Sequence, residues 1–148
     1  MRLEPLYTIR FRYPEEGRSA TIQGDEAEFF FLAEGTVEGA ITGRFTGANH
    51  PHRRSDGTYQ ANLQGVIETD DGAQIIVDYQ GYGRTYPPLV RQVVGAAWHV
   101  SGDPRYRRLN DAVCAINGEV RSPSVDAPQG DVWLVFEVLE QVWEPMSS

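Results

Sequence analysis

The amino-acid sequence predicts an all-β protein, an antiparallel up-and-down (meander) β-barrel with at most one short helical turn. Three observations carry that expectation. Apolar and polar residues alternate with period two in nearly every segment, the pattern of half-buried strands. Fifteen glycines and nine prolines are spread along the 148 residues at spacings that interrupt helices and punctuate strands. The third is a hairpin with a legible register, running from Asp56 to Gly83 and turning at Asp70-Asp71-Gly72. A three-residue loop sets Thr69 opposite Ala73, Ile67 opposite Ile75, Gly65 opposite Val77, Leu63 opposite Tyr79 and Ala61 opposite Gly81, gathering apolar and small residues on one face. A two-residue loop would set Ile67 against Ile76 and Gly65 against Asp78, mixing core with polar positions, because a one-residue slip turns a strand over. The usual three-residue loop ends on a left-handed residue, and Gly72 stands there.

In chain order, Tyr7, Ile9, Phe11 and Tyr13 alternate with Thr8, Arg10 and Arg12 to make a first strand, ended by Pro14 to Gly17. A short segment over Ala20 to Gln23 turns at Gly24-Asp25. Glu28 to Ala33 is apolar on both parities through Phe29-Phe30-Phe31-Leu32, which predicts a strand buried on both faces or one side of a homodimer interface. Glu34-Gly35 interrupts, and Thr36 to Phe45 continues as part of a kinked strand or as a second short one, with Gly39 and Gly43 at bends. Gly47 to Ser55 reads as a loop or irregular strand end, since Pro51 cannot donate to a ladder. Beyond the hairpin, Tyr82 to Pro88 is a turn-rich crossing. Val90 to Val100 is the next strand, with Val94, Ala96, Trp98 and Val100 on one parity. Gly102 to Asn110 is the candidate helical turn, with Asp103 as cap and Pro104 at its first position. Asp111 to Val120 and Val132 to Trp143 are the last strands, and the tryptophans at 98, 133 and 143 read as core or interface anchors. No repeat or linker divides the chain, so residues 1–148 are read as one barrel domain. Closure removes the two sheet edges, and glycine-bent strands favour a calycin- or lipocalin-like barrel over a sandwich.

Composition narrows the partners. Twenty-one acidic against 13 basic residues give a net charge of −8 and a pI near 4.8, which opposes attraction to a phosphate backbone or an anionic membrane. Neither nucleic acid nor membrane is expected. Cys114 is the single cysteine, and the start MRLEPLYTIR has no apolar signal core, so a cytoplasmic protein without an internal disulfide is expected. There is no phosphate-cradling loop, nucleophile elbow or C-x-x-C motif, and no cofactor is expected.

GTVEGAITGRF (Gly35 to Phe45), DGTY (Asp56 to Tyr59), ETDDGAQIIV (Glu68 to Val77), Gly81, Gly83 and SGDPRYRRLN (Ser101 to Asn110) stand in a distinctive order and spacing. Over about residues 35 to 121 the chain resembles the bacterial family known as domain of unknown function 3237, in TDDGA and DPRY…LN above all. The resemblance implies a compact β-barrel and a small cytoplasmic protein, and it brings no reaction with it. Where many members show Gly-Gly-x-Asp-Trp, this chain has Gly47-Ala48-Asn49-His50-Pro51. An arginine usual in the strand before DPRY is not found between Val93 and Trp98. The chain looks like a divergent branch.

The groups able to carry chemistry gather after Phe45. His50 and His52 flank Pro51, and the proline speaks against a regular strand that would let both ligate a metal with His99, so no metal is expected. An imidazole moves protons near neutral pH, which makes His50 the acid–base candidate, with Asp56 near it in sequence and His99 as a second imidazole. Asn49 is the candidate orienting amide, Arg53 and Arg54 the candidate anion clamps, and Tyr59 and Tyr79 the hydroxyl donors. The expected ligand is a small organic acid or carbonyl compound at the barrel mouth. Cofactor-free isomerisation, hydration or elimination, plain binding, and an oligomeric structural role all stay open.

Overall fold

The computed structural model describes residues 1–85, 90–124 and 126–147 and arranges ten strands in one antiparallel sheet. The strands are β1 (Arg2–Arg12), β2 (Arg18–Gln23), β3 (Glu26–Gly39), β4 (Gly43–Asn49), β5 (His52–Arg53), β6 (Tyr59–Thr69), β7 (Gln74–Thr85), β8 (Val90–Val100), β9 (Cys114–Arg121) and β10 (Trp133–Val142). Neighbours run β1-β10-β9-β8-β7-β6-β4-β3, and β3 pairs back onto β1, so eight strands close an up-and-down barrel. β2 extends the sheet beside the start of β3, and β5 bridges β3 and β6. No helix among the described residues is long and apolar enough to cross a membrane.

The central hairpin has the register the alternation requires. Ile67 pairs with Ile75, Gly65 with Val77, Leu63 with Tyr79 and Ala61 with Gly81, and Gly72 sits at φ 90°. Its inward face joins Ile9, Phe11, Val37 and Phe45 in a fully buried core. Glycine also sets the curvature. Gly81 and Gly95 face each other across β7 and β8, and a Cβ on either would lie 2.2 Å from a carbonyl of the other strand. Only bare backbones approach so closely, and a bent sheet closes where a flat one cannot.

Several expectations are corrected. β3 runs unbroken through Glu34-Gly35, because Gly35 is needed there for the close approach of β1, where a Cβ would meet the Arg10 carbonyl at 2.0 Å. The chain reverses instead at Ala40 to Thr42. Gly47 to Asn49 belongs to β4, and the carbonyl of Pro51 keeps the ladder by accepting from the Phe29 N–H at 3.0 Å. Tyr82 to Thr85 continues β7, while Pro87 and Pro88 lie outside the described residues. The helical turn is 3-10 and starts at Arg107, since Asp103 closes a separate turn by accepting the Arg105 N–H on Oδ1 at 2.9 Å. A second 3-10 turn spans Gln129–Asp131. Of the two roles expected for the tryptophans, exposure removes the core for Trp98 and Trp143, and the phenylalanine run is not buried on both faces, since Phe29 and Phe31 line the interior and Phe30 and Leu32 lie outside.

One barrel end is plugged. Leu109, from the turn at Arg107–Asp111, is buried in the core. Above it the hairpin turn and the DPRY segment latch together: the Tyr106 hydroxyl donates to Asp71 Oδ2 at 2.7 Å and Arg105 Nη1 donates to the Asp71 carbonyl at 2.8 Å. Asn110 ties the same turn to the end of β8 through both backbone polar groups of Ser101. The most distinctive segments of the sequence therefore close the barrel's floor.

Candidate functional site

The opposite end holds a cavity of about 270 Å³, just under the usual range for small-molecule sites. One wall is an aromatic ladder. Tyr13 stacks on Phe31 with ring centroids 4.4 Å apart, and Phe29 continues the stack 6.0 Å further on. Leu63, Ile116, Leu134 and Phe136 supply the aliphatic and aromatic depth, and Tyr79 forms part of the floor. The sequence builds this wall simply, since Tyr13 continues the inward parity of Tyr7, Ile9 and Phe11, and Phe29 and Phe31 share one parity of β3.

Few polar groups enter, and they are well held. Asn49 is buried; its Oδ1 accepts the Asn62 N–H at 3.1 Å and its Nδ2 donates to the Tyr13 hydroxyl oxygen at 2.8 Å. The backbone contact fixes which way the amide points, so the Tyr13 proton is left to be donated. Burial pushes the Tyr13 hydroxyl up to about 12, against the lowering effects of the Asn49 amide and the Arg91 charge. It is a protonated donor at neutral pH. Arg91 lines the cavity with its guanidinium 5.4 Å from the Tyr59 ring and forms no ion pair with a described residue. Among the described residues no Asp or Glu lines the cavity, although acidic residues outnumber basic ones in the chain.

Beneath the floor lies a second polar group. The Tyr7 hydroxyl is 2.6 Å from the Tyr79 hydroxyl and 2.6 Å from His99 Nε2, all three side chains being buried. His99 Nδ1 has no partner among the described residues. Burial holds the His99 imidazole down at about 4 and raises both tyrosines, so all three are neutral near pH 7. Cys114 is buried close by, its thiol pushed up to about 11 by desolvation.

Of the sequence candidates, Asn49, Tyr59 and Tyr79 line the cavity. Alternation puts His50 on the outer surface, where Nε2 is 3.2 Å from Glu28 rather than near Asp56. His52 stands beside it between Glu28 and Glu26, at 2.8 and 3.2 Å, and these carboxylates raise its pKa, the Glu28 hydrogen bond most. Arg53 lies over the rings of Phe29 and Tyr59 at 5.2 and 5.9 Å and reaches the Tyr59 hydroxyl at 3.4 Å. Arg54 is paired with Asp56 at 2.7 Å, which holds that carboxyl well below its usual range. His99 lies under the cavity floor, joined to Tyr79 through Tyr7. Among the described residues no three His, Cys, Asp or Glu side chains are placed to hold a metal ion.

Tyr13, Arg91 and Tyr7 do not figure among the sequence candidates. Tyr13 and Tyr7 carried a signal, being hydroxyls on an otherwise apolar inward stripe. Arg91 shares parity with Val93 and Ala97, but both parities of β8 are apolar, and only pairing with β7 shows which faces in.

Fold and site together define a closed eight-stranded antiparallel β-barrel, plugged at one end and holding a mostly apolar cavity at the other. The model of the family described as "Protein of unknown function (DUF3237)" matches residues 1–135, and the chain belongs to that family. No curated protein matches it. Among solved structures it is similar to a β-barrel-like protein from Acinetobacter baumannii AYE, with TM-score 0.79 and 19% identity over 94% of each chain. It is also similar to a conserved protein of unknown function from Rhodopseudomonas palustris, with TM-score 0.77 and 20% identity over 94% of this chain and 96% of that one. A third, described as an enzyme from Penicillium herquei, aligns with TM-score 0.67 and 18% identity over 93% of each. At these identities the likeness concerns the fold.

Proposed function

We propose that this barrel binds a small, mostly apolar organic acid or carbonyl compound in its cavity, with the ligand oxygen accepting from Tyr13 and a carboxylate balanced by Arg91. The carrying observation is the character of the lining among the described residues: aromatic and aliphatic walls, one amide-locked hydroxyl donor, one guanidinium and no carboxylate. Such a site repels cations and leaves a ligand's acceptor oxygen only donors to meet. The test is a thermal-shift and calorimetric panel of medium-chain and aromatic carboxylates and the matching ketones. Wild type is expected to be stabilised by carboxylates, with affinity falling about tenfold or more in Arg91→Ala and in Tyr13→Phe, the usual worth of a hydrogen bond to a charged group. His50→Ala, altered outside the barrel, is expected to bind as wild type. Equal stabilisation of all four proteins, or none of wild type, defeats the reading.

A second reading, proton-transfer catalysis without a cofactor, is favoured by the Tyr79–Tyr7–His99 chain. It joins a floor residue of the cavity to a neutral imidazole, and hydroxyls in such a line pass a proton by exchanging donor and acceptor roles. The structurally similar Penicillium herquei protein is described as an enzyme, which is in keeping with it. Deuterium exchange into a bound ketone at its α-carbon, lost in Tyr79→Phe, is the expected outcome; binding without exchange leaves a binding protein.

A further inference from the structure

The exterior of β7 and β8 differs in charge from the groove on the other side of the barrel. Arg10, Arg12, Glu34 and Arg44 line the groove over β1, β3 and β4. Between Gln74 and Arg84, by contrast, the outward positions of β7 and the facing part of β8 carry one charged group, Asp78. The others include Ile76, Val94, Trp98 and Val100, which are 57%, 52%, 45% and 56% exposed. Arg54 leans on Tyr82 from the rim, 5.7 Å away. Loss of charge with exposed aromatic and aliphatic side chains is the composition of an interface core. The polar side chains are already engaged with one another: Gln64 and Gln80 each donate to Asn62 Oδ1 and to Asp78 Oδ1, at 2.6–2.9 Å. Covering them therefore costs less than covering groups that rely on water.

We propose that this face is the contact of an isologous homodimer. Register shows how a second copy fits. Ile76 pairs with Val100, Asp78 with Trp98, Gln80 with Ala96 and Tyr82 with Val94, giving four successive outward rows. A two-fold axis crossing the strands between the second and third rows lays the first row on the partner's fourth and the second on the partner's third. Each Trp98 then stands over the partner's Ala96, at the shallow depression where Gly81 and Gly95 bend the sheet. Ile76 and Val100 meet the partner's Tyr82 and Val94. One row further out, Arg84 arrives at the level of the partner's Gln74 and Glu68, so opposite charges meet at both ends. With strands ~4.8 Å apart and same-face residues ~6.8 Å apart, three strands over the four rows and the two end rows cover about 590 Å² in plan, and standing side chains raise the accessible area toward the ~800 Å² per partner of a standard interface.

The experiment is light scattering after size exclusion, with sedimentation equilibrium for dissociation constants. Wild type is expected to be dimeric at high micromolar concentration, and Ala96→Arg and Trp98→Glu monomeric with unchanged circular dichroism. Phe30→Glu, on the exposed side of β3, is expected to remain dimeric. Arg84→Glu is expected to raise the dissociation constant about tenfold, and adding Glu68→Arg to restore it, since like charges are then replaced by opposite ones. A monomeric wild type overturns the proposal, as does a dimer that survives both Ala96→Arg and Trp98→Glu.

Discussion

His99 makes stability depend on pH in a direction that can be worked out from its surroundings. Its side chain is 1% exposed, its Nε2 meets the Tyr7 hydroxyl, and its Nδ1 meets no described partner. No carboxylate is hydrogen-bonded to it to reward a positive charge, so burial alone lowers its pKa from 6.5 to about 4. Between those values the unfolded chain binds a proton that the folded protein refuses, and stability therefore rises with pH across that window. The contribution is complete above pH 6.5 and is lost as pH falls toward 4. A displacement from 6.5 to about 4 corresponds to about 3 kcal/mol, most of it gone by pH 4.5. In urea titrations from pH 7 to 4.5, wild type should lose about 2–3 kcal/mol more than His99→Gln, whatever the variant's stability at pH 7. His52, raised by its glutamates, acts with the opposite sign, losing its contribution as pH climbs, but it is present in both proteins and cancels in the difference. Parallel pH profiles for the two proteins would refute the assignment of His99 as a buried neutral imidazole.

Gly72→Val forces a β-branched residue to φ 90° and should lower stability by roughly 1–3 kcal/mol in thermal or urea unfolding. An unchanged transition would remove the left-handed turn. Gly81→Ala drives a Cβ to 2.2 Å from the Val94 carbonyl and should cost about 1–3 kcal/mol, whereas Gly102→Ala, with nothing within 4 Å, should stay within about 0.5 kcal/mol of wild type. Equal effects at 81 and 102 would mean that the close pairing of β7 and β8 is relaxed in solution. Tyr106→Phe removes the hydrogen bond to Asp71 at an exposed site and should cost no more than about 1 kcal/mol, measured by the same unfolding curves.

The strands and the central register are local consequences of the sequence. Where one parity is apolar and the other polar, as over Tyr7 to Tyr13 or Leu63 to Ile67, water and core sort the two faces, and Gly72 holds the loop at three residues. The sequence places a bend at Gly43, where a Cβ would meet the Glu68 carbonyl at 2.2 Å, but not the close approaches at Gly35, Gly81 and Gly95, which depend on which backbone lies opposite. The sequence alone did not determine the orientation of β8, where Val93, Ala97 and His99 compete with Val94, Trp98 and Val100 on nearly equal hydrophobic terms. Pairing of Val77 with His99 and Tyr79 with Ala97 settles it, and so hides a histidine and exposes a tryptophan. The meeting of Asp71 with Arg105 and Tyr106, of Glu28 with His50, and of Tyr13, Asn49 and Arg91 around one cavity was likewise decided by the tertiary structure. Alternation records which side of a strand prefers water, whereas those encounters depend on which strand ends a closed barrel brings together.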